Sequence, residues 1–272
     1  MAEVQQVFRR REIKYCLDEK TFAAVKAAIL PHLVPDTYAN YSIFNEYCDT
    51  KDYDLIAKSV EKPAFKQKLR IRSYGTAGAN DRVFLELKKK YAGVVYKRRI
   101  TLTLAEAETA VLSGRLPARF LSENEQIIDT LPPAFAEIAA TKAQNAVQGT
   151  REIFSARRRL PKDPNAAELA GFLSQKKIEK RTFLAYDREA YHAANDEELR
   201  VTFDTNLRFR TENVSLSFGG EGSAFSAAPA AILEIKAQDA FPLWLTGILT
   251  RERVYPSSFS KYGYLYENGL LQ

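Results

Sequence analysis

The chain is poor in the residues that form the commonest metal and redox sites. Its 272 residues include two cysteines, Cys16 and Cys48, and two histidines, His32 and His192. Two thiols are too few for a disulfide framework or a thiolate metal site. Two histidines argue against a multi-histidine metal site. Because neither histidine lies in a recognisable motif, we assign both to surface or packing roles.

Long apolar runs and several enzyme motifs are also missing. No segment approaches the run of about 18 apolar residues that crosses a membrane. The N-terminal sequence MAEVQQVFRREIKY is charged where a signal peptide is apolar. The motifs G-x-x-x-x-G-K-[ST], H-E-x-x-H and G-x-S-x-G are absent. The sequence therefore predicts a cytoplasmic protein without a transmembrane segment and without these active-site motifs.

Positive charge is in excess, with 40 lysines and arginines against 34 aspartates and glutamates and a net charge of +6. Such an excess favours anionic partners. Nucleic acid, an acidic membrane surface and polyanionic small molecules all fit it, so the distribution of the charge has to distinguish them.

Alternation of polar and apolar residues, bounded by turn residues, predicts a protein rich in strands. The predicted strands cover residues 7–16, 41–50, 66–74, 82–90, 94–103, 179–192, 198–210, 213–218 and 231–237. A helix capped by Asp18 follows the first strand, and AFPLWLTGILTRE predicts another near the C-terminus. The segment 104–177 is predicted to be helical, including LAEAETAVLSG and PPAFAEIAATKAQNAV. We predict one α+β domain over residues 1–272.

One face of several strands is basic. In KQKLRIRSYG, Lys68, Arg70 and Arg72 alternate with Leu69 and Ile71, so three positive charges lie on one side of a strand. Comparable faces recur in VFLELKKK, VVYKRRITL, TFLAYDREAY, LRVTFDT and AILEIKA. An ordinary solvated sheet face also alternates, but it mixes both signs of charge more evenly.

Three glutamates, Glu12, Glu86 and Glu234, each precede a lysine by two residues on these faces. Two like charges about 5 Å apart repel by roughly 3 kcal/mol at an effective dielectric constant near 20. If the basic faces converge, binding of a polyanion relieves that repulsion. Arginine forks suit phosphate oxygens, and glutamate oxygens suit Mg²⁺ or Mn²⁺.

These pieces occur together in a recognisable order. The order is RREIKY, YCDT, KLRIRSYG, FLELKKKYAGVVYKRR, YDREAY, LRVTFDT, AILEIKA and FSKYGY. As a set they resemble the polyphosphate-polymerase domain of the vacuolar transporter chaperone (VTC) family, one of the triphosphate tunnel metalloenzymes. The resemblance implies an antiparallel β-barrel with a polar tunnel inside and helices packed outside.

The resemblance also implies roles for individual residues. The implied catalytic residues are Lys14, Arg70, Arg72, Lys88, Arg188 and Arg200. The implied phosphate-binding residues are Lys97 and Lys261, to which Arg99 is added because it shares the face of Lys97. Glu234 is the implied ligand for Mn²⁺ or Mg²⁺, with Glu12 and Glu86 as further candidates. Many tunnel enzymes carry Glu-x-Glu-x-Lys, whereas this chain has Arg10-x-Glu12-x-Lys14, which favours the polymerase branch.

The implied reaction moves the γ-phosphoryl group of a nucleoside triphosphate, ATP, onto a growing inorganic polyphosphate chain. If water is the acceptor instead, the same tunnel gives a tripolyphosphatase or nucleoside triphosphatase, and without turnover it gives a polyphosphate-binding protein. A nucleic-acid-binding module is a more remote alternative, with Tyr74, Tyr91 and Tyr96 near the basic strands. The glutamates on those faces would repel a nucleic-acid backbone, so we expect no nucleic acid among the partners.

Overall fold

A computed structural model of the chain describes residues 11–92, 94–120 and 163–271. The strands are β1 (Arg11–Leu17), β2 (Leu33–Asp49), β3 (Phe65–Tyr74), β4 (Arg82–Tyr91), β5 (Val94–Thr103), β6 (Glu179–Ala193), β7 (Asp196–Arg210), β8 (Ser223–Ala224) and β9 (Ala231–Ala237). The helices are α1 (Glu19–Ile29), α2 (Asp54–Val60), α3 (Leu104–Ser113), α4 (Pro164–Gln175), α5 (Leu243–Arg251) and α6 (Lys261–Glu267). The predicted helix in PPAFAEIAATKAQNAV lies outside the described residues.

The strands form one antiparallel sheet in the order β1-β9-β7-β6-β2-β3-β4-β5, with β8 paired to β7. Strands from both sides of the helical segment are neighbours in this sheet, since β2 pairs with β6. The predicted α+β antiparallel architecture is confirmed. Within the described residues, β1 and β5 end the order, so hydrogen bonds do not close the sheet. That residues 1–272 form one domain stays a prediction.

The sheet curls until strands far apart in its order face each other. The backbone N–H of Ser257 donates to the carbonyl of Lys14 on β1 (2.7 Å). Three residues later, the Ser260 hydroxyl accepts from Lys68 Nζ on β3 (2.7 Å). Three residues span at most about 11 Å, so β1 and β3 approach each other across the concave side. This tunnel-like form agrees with the predicted fold class.

Helices cover the convex side of the sheet because the apolar residues of the strands point outward. α3 and α4 pack on Leu85, Leu87 and Leu102. α1 and α5 pack on Phe203 and Leu233. Many of the charged residues of the same strands are thereby directed to the concave side, although Lys89 and Arg98 lie on the convex side and pair with Glu168 of α4.

Part of the concave side is filled by α2 and α6. Ile43, Tyr47 and Leu184 project from the sheet and pack against Ile56 of α2 and Tyr262 of α6. The Tyr47 and Tyr262 rings stack with their centroids 4.3 Å apart. The concave side is therefore apolar at these positions and charged over the rest of its length.

One predicted strand is absent, and one strand begins earlier than predicted. The strand predicted at 213–218 is wrong, because a 3₁₀ turn occupies Leu216–Phe218. Arg210 explains the difference: its guanidinium donates to the carbonyls of Asn213 (2.7 Å) and Ser215 (2.9 Å), which fixes the segment as a loop. β2 also begins at Leu33, eight residues before the predicted start.

None of the helices among the described residues has the length and apolar character that a bilayer crossing demands.

The convex packing predicts a large difference between two leucines. Leu169 on α4 is fully buried against the sheet, while Leu112 on α3 is 86% exposed. We expect Leu169→Ala to lower the free energy of unfolding by about 2–5 kcal/mol, because it leaves a cavity. The matched change Leu112→Ala should alter it by less than about 0.5 kcal/mol. Urea unfolding of both variants measures the difference, and equal effects would contradict the packing of α4 on the sheet.

Candidate functional site

The concave side carries the basic residues that the sequence singled out, and we call this surface the charged face. Strand alternation brings them there from seven strands, and α6 adds one more. The basic residues of the charged face are Lys14, Lys68, Arg70, Arg72, Lys88, Lys97, Arg99, Arg188, Arg200, Lys236 and Lys261. The acids Glu12, Glu86, Asp204 and Glu234 lie among them.

Glu86 lies at the centre of the β3–β4–β5 part of the charged face. It is the cross-strand neighbour of both Arg70 and Arg99, and its side chain is 1% exposed. Its Oε2 accepts from Arg70 Nε (2.8 Å) and Arg70 Nη2 (2.6 Å). Its Oε1 accepts from Lys97 Nζ (2.7 Å) and Arg99 Nε (2.5 Å). One buried carboxylate therefore holds three of the predicted cations.

The charges around Glu86 change its acidity. Burial would raise the pKa of Glu86, but the charges of Arg70 and Arg72 and the hydrogen bond from Lys97 hold it far below its usual range. The carboxylate is thus ionised at every physiological pH. The repulsion that the sequence predicts along Lys68, Arg70 and Arg72 is offset by this acid from the next strand.

Asp204 holds cations in the same way on β7. It is fully buried on β7 and accepts from Arg188 Nε (2.6 Å) and Nη2 (2.8 Å) in a bidentate pair. Lys261 Nζ, at the start of α6, donates to Asp204 Oδ2 (2.6 Å), the oxygen that also accepts from Arg188 Nη2. Burial would raise the pKa of Asp204, but the charges of Lys261 and Arg188 lower it.

Glu234 and Glu12 face the same lysine. Lys14 Nζ lies 3.3 Å from Glu234 Oε2 and 3.4 Å from Glu12 Oε1, and Lys236 Nζ lies 2.7 Å from Glu234 Oε1. Burial would lower the pKa of Lys14, but the Glu234 and Glu12 carboxylates raise it. One cation therefore already bridges two carboxylates here. The hydroxyl oxygen of Thr202, opposite Glu234 on β7, is buried with no partner among the described residues.

This oxygen-rich corner fits a hard divalent cation. The described residues contain no group of three or more Asp, Glu, His or Cys side chains that together bind a metal ion. Mg²⁺ in phosphoryl-transfer sites commonly takes only one or two carboxylates and completes its shell with phosphate and water. Glu234, Glu12 and the unpaired Thr202 hydroxyl match that donor set. Both oxygens of Glu86, in contrast, already accept from cations.

A row of lysines crosses three strands without an acid between its first members. Lys68 is the cross-strand neighbour of Lys88, and Lys88 is that of Lys97. Burial and the charges of Lys66, Lys88 and Lys14 lower the pKa of Lys68 to about 8. Burial likewise lowers the pKa of Lys97 to about 8, against the opposing effect of Glu86. Like charges directly opposite each other destabilise a sheet, so an anion bound at this row stabilises it.

Polar side chains that the sequence analysis left without a role orient two of the arginines. Asn45 Oδ1 accepts from Arg72 Nε (2.9 Å), and the Tyr186 hydroxyl lies 3.3 Å from Arg72 Nη2. The Tyr47 hydroxyl lies 3.3 Å from Arg70 Nη1. Strand alternation in the sequence already places Tyr186 and Asp204 on the charged face. The arginines that they contact could not be predicted, because those contacts depend on the register between strands.

Several predicted residues lie at more open positions. Arg200 is exposed and is the cross-strand neighbour of Lys236 and His192. No ion pair of Arg200 is found within the described ranges. Glu12 is also exposed, with 38% of its side chain accessible. Lys88 and Lys97 are exposed as well, so these four residues lie at the solvent side of the charged face, and the other predicted residues are buried or half-buried.

Known proteins match this chain over most of its length. The family model described as the VTC domain matches residues 9–267. The vacuolar transporter chaperone complex subunit 4 of Trypanosoma brucei brucei is 25% identical over 266 residues, covering 86% of this chain and 30% of the relative. The Trypanosoma cruzi subunit 4 is 26% identical over 305 residues, covering 95% of this chain and 34% of the relative.

The chain spans about a third of the length of these curated relatives. Among solved structures, the Hippeastrum protein HpAC1, a candidate adenylyl cyclase with a dominant triphosphatase activity, matches with a TM-score of 0.42 and 15% identity over 95% of each chain. The family assignment rests on the match of the VTC model to residues 9–267. The chain belongs to the VTC domain family.

Proposed function

We propose that this protein is a metal-dependent polyphosphate polymerase that transfers the γ-phosphoryl group of a nucleoside triphosphate, ATP, to the end of a polyphosphate chain. The observation that carries the proposal is the row of Lys68, Lys88 and Lys97 beside arginines already oriented by Glu86. A dense polyanion matches this arrangement better than a neutral or cationic ligand. The name of the trypanosome relatives, subunit 4 of a vacuolar transporter chaperone complex, is consistent with it.

The chain supplies positioning and charge neutralisation, which are what phosphoryl transfer mainly requires. In the proposed step, an oxygen of the terminal phosphate of the acceptor bonds to the γ-phosphorus. The bond from that phosphorus to the β–γ bridging oxygen breaks, and the nucleoside diphosphate leaves with the electron pair. The acceptor is already anionic and needs no general base, which agrees with a charged face whose oriented groups are lysines, arginines and carboxylates.

The proposed roles fall into three groups. Lys14, Arg70, Arg72, Lys88, Arg188 and Arg200 are the residues proposed to stabilise the transferring phosphoryl group. Lys97, Arg99 and Lys261 are proposed to hold the remaining phosphates. Glu234 and Glu12, with the Thr202 hydroxyl nearby, would hold Mn²⁺ or Mg²⁺, which when bound supplies positive charge between neighbouring phosphates. Cytoplasmic localisation and the absence of a nucleic-acid partner stay predictions.

The products of one incubation test the proposed function. We expect the purified protein with ATP and Mn²⁺ to form long, acid-labile phosphate chains that stain in a gel. Lys88→Met should slow their formation by about 10-fold or more, because it removes one charge from the lysine row. The same substitution at an exposed position of α1 on the convex side, Lys20→Met, should leave the rate unchanged. Orthophosphate as the sole product would instead identify a hydrolase.

Removing the Glu234 carboxylate tests the proposed metal site. Glu234→Gln preserves the shape of the side chain but weakens metal binding, so we expect the Mn²⁺ concentration for half-maximal turnover to rise by about 10-fold or more. Glu197→Gln, on an exposed strand position, is the control and should behave as the wild type. An unchanged Mn²⁺ dependence in folded Glu234→Gln would exclude this residue as a ligand.

The lowered pKa values of Lys68 and Lys97, about 8 each, predict a pH effect on binding. A polyanion binds the protonated lysines, so above pH 8 each lysine must first take up a proton. Affinity for long polyphosphate should therefore fall by up to about 10-fold per lysine for each pH unit above 8. Calorimetry between pH 7 and 9.5, with Lys68→Met as the variant that loses part of the slope, measures it. A constant affinity over this range would contradict the lysine row as the binding site.

A further inference from the structure

Glu86 differs from the other glutamates of the charged face in how completely it is surrounded. Its side chain is 1% exposed, against 38% for Glu12. Arg70 occupies one of its oxygens, and Lys97 and Arg99 occupy the other. In addition, Arg72 Nε lies 4.0 Å from Glu86 Oε2. Four cationic groups therefore converge on this single carboxylate.

These contacts leave no room for a metal ion at Glu86. A divalent cation bonded to either oxygen would have to displace an arginine or a lysine and would then face the positive charges that remain. Glu234 is different. Lys236 occupies its Oε1 at 2.7 Å, but the ion pair that the described residues give its Oε2 is with Lys14 at 3.3 Å, longer than a strong charge-assisted hydrogen bond. Although both glutamates precede a lysine in the sequence, their surroundings separate their roles.

We propose that Glu86 is a positioning residue: its carboxylate orders Arg70, Lys97 and Arg99 before substrate binds, and it is not a metal ligand. The inference rests on the function proposed above for the step it serves. The ordering itself is a property of the free protein and is testable without any turnover.

The geometry explains why such ordering matters for phosphate. A free arginine or lysine side chain samples many rotamers, and fixing it on the substrate costs conformational entropy. On Glu86, Arg70 is held through Nε and Nη2, and Arg99 through Nε and Nη2. A guanidinium group has five N–H donors, so each arginine keeps other donors for phosphate oxygens while its plane is already set. Glu86 thus acts on the reaction through these cations.

The free protein gives the first test. In the wild type, without metal or nucleotide, NMR of ¹⁵N-labelled arginine should show slowly exchanging Nε–H signals for Arg70 and Arg99, but not for exposed Arg200. Glu86→Gln should abolish the protection of Arg70 and Arg99 and leave that of Arg188. Asp204→Asn, the matched variant, should abolish the protection of Arg188 and leave that of Arg70 and Arg99.

The Arg72 Nε–H, which is held by Asn45, is an internal control and should stay protected in both variants. Undiminished protection of Arg70 and Arg99 in Glu86→Gln would overturn the inference, since another group would then be holding them.

Turnover gives the second test. Misplacement of catalytic groups by about 1 Å costs about 100-fold in rate, so Glu86→Gln should lower kcat by about that factor. The Mn²⁺ concentration for half-maximal turnover should stay within twofold of the wild type, unlike that of Glu234→Gln. A kcat within twofold of the wild type would overturn the positioning role. A tenfold rise in that Mn²⁺ concentration, with turnover restored at high Mn²⁺, would instead identify Glu86 as a metal ligand.

If Glu86→Gln shows no cooperative thermal transition, Glu86→Asp replaces it: the charge is kept one methylene short, and the same loss of Arg70 and Arg99 protection with unchanged Mn²⁺ dependence is expected. If the wild type has no turnover with any nucleoside triphosphate, the proposed function fails, and the NMR comparison alone decides whether Glu86 orders the cations.

Discussion

A sheet can curl around a basic interior only if acids are built into that interior. Lysines and arginines from seven strands and α6 converge on the charged face, and buried cations without counter-ions are strongly destabilising. Glu86 and Asp204, at 1% and 0% exposure, are placed where they each neutralise several of these cations at once. In the strand register they lie opposite Arg70, Arg99 and Arg188. They therefore offset the repulsion among the basic residues when no ligand is bound.

The compensation is incomplete. Lys68 and Lys88 are cross-strand neighbours with no acid between them, and the pKa of each is lowered, first by burial. A free protein that keeps such a row is less stable than one in which the row is neutralised, and binding of a polyanion recovers that stability. The same residues therefore connect the stability of the fold with its affinity for phosphate chains.

The amino-acid sequence was enough to predict most of the strands, the antiparallel class and the face on which the basic residues lie, because strand alternation is a local property. The Glu-x-Lys pattern alone does not distinguish Glu86 from Glu234; the family resemblance implied Glu234 as the ligand but left Glu86 as a further candidate. Register, which depends on pairing across the whole sheet, decides this. The wrong strand at 213–218 has a similar cause: Arg210, outside that segment, binds its carbonyl groups. Tyr186 and Asp204 lay on the correct face, but their partners come from other strands.

The two buried acids order two groups of cations, and this arrangement supports the polymerase that we propose. Glu86 orders cations on β3 and β5, while Asp204 orders Arg188 on β6 and Lys261 on α6. A hydrolase has to hold one polyanion and admit water. A polymerase has to hold a donor and an acceptor end to end, and the repulsion between two chains must be offset over a longer stretch of positive charge. Two separately ordered groups of cations match the requirement of the proposed polymerase, since each group is fixed before either phosphate chain arrives.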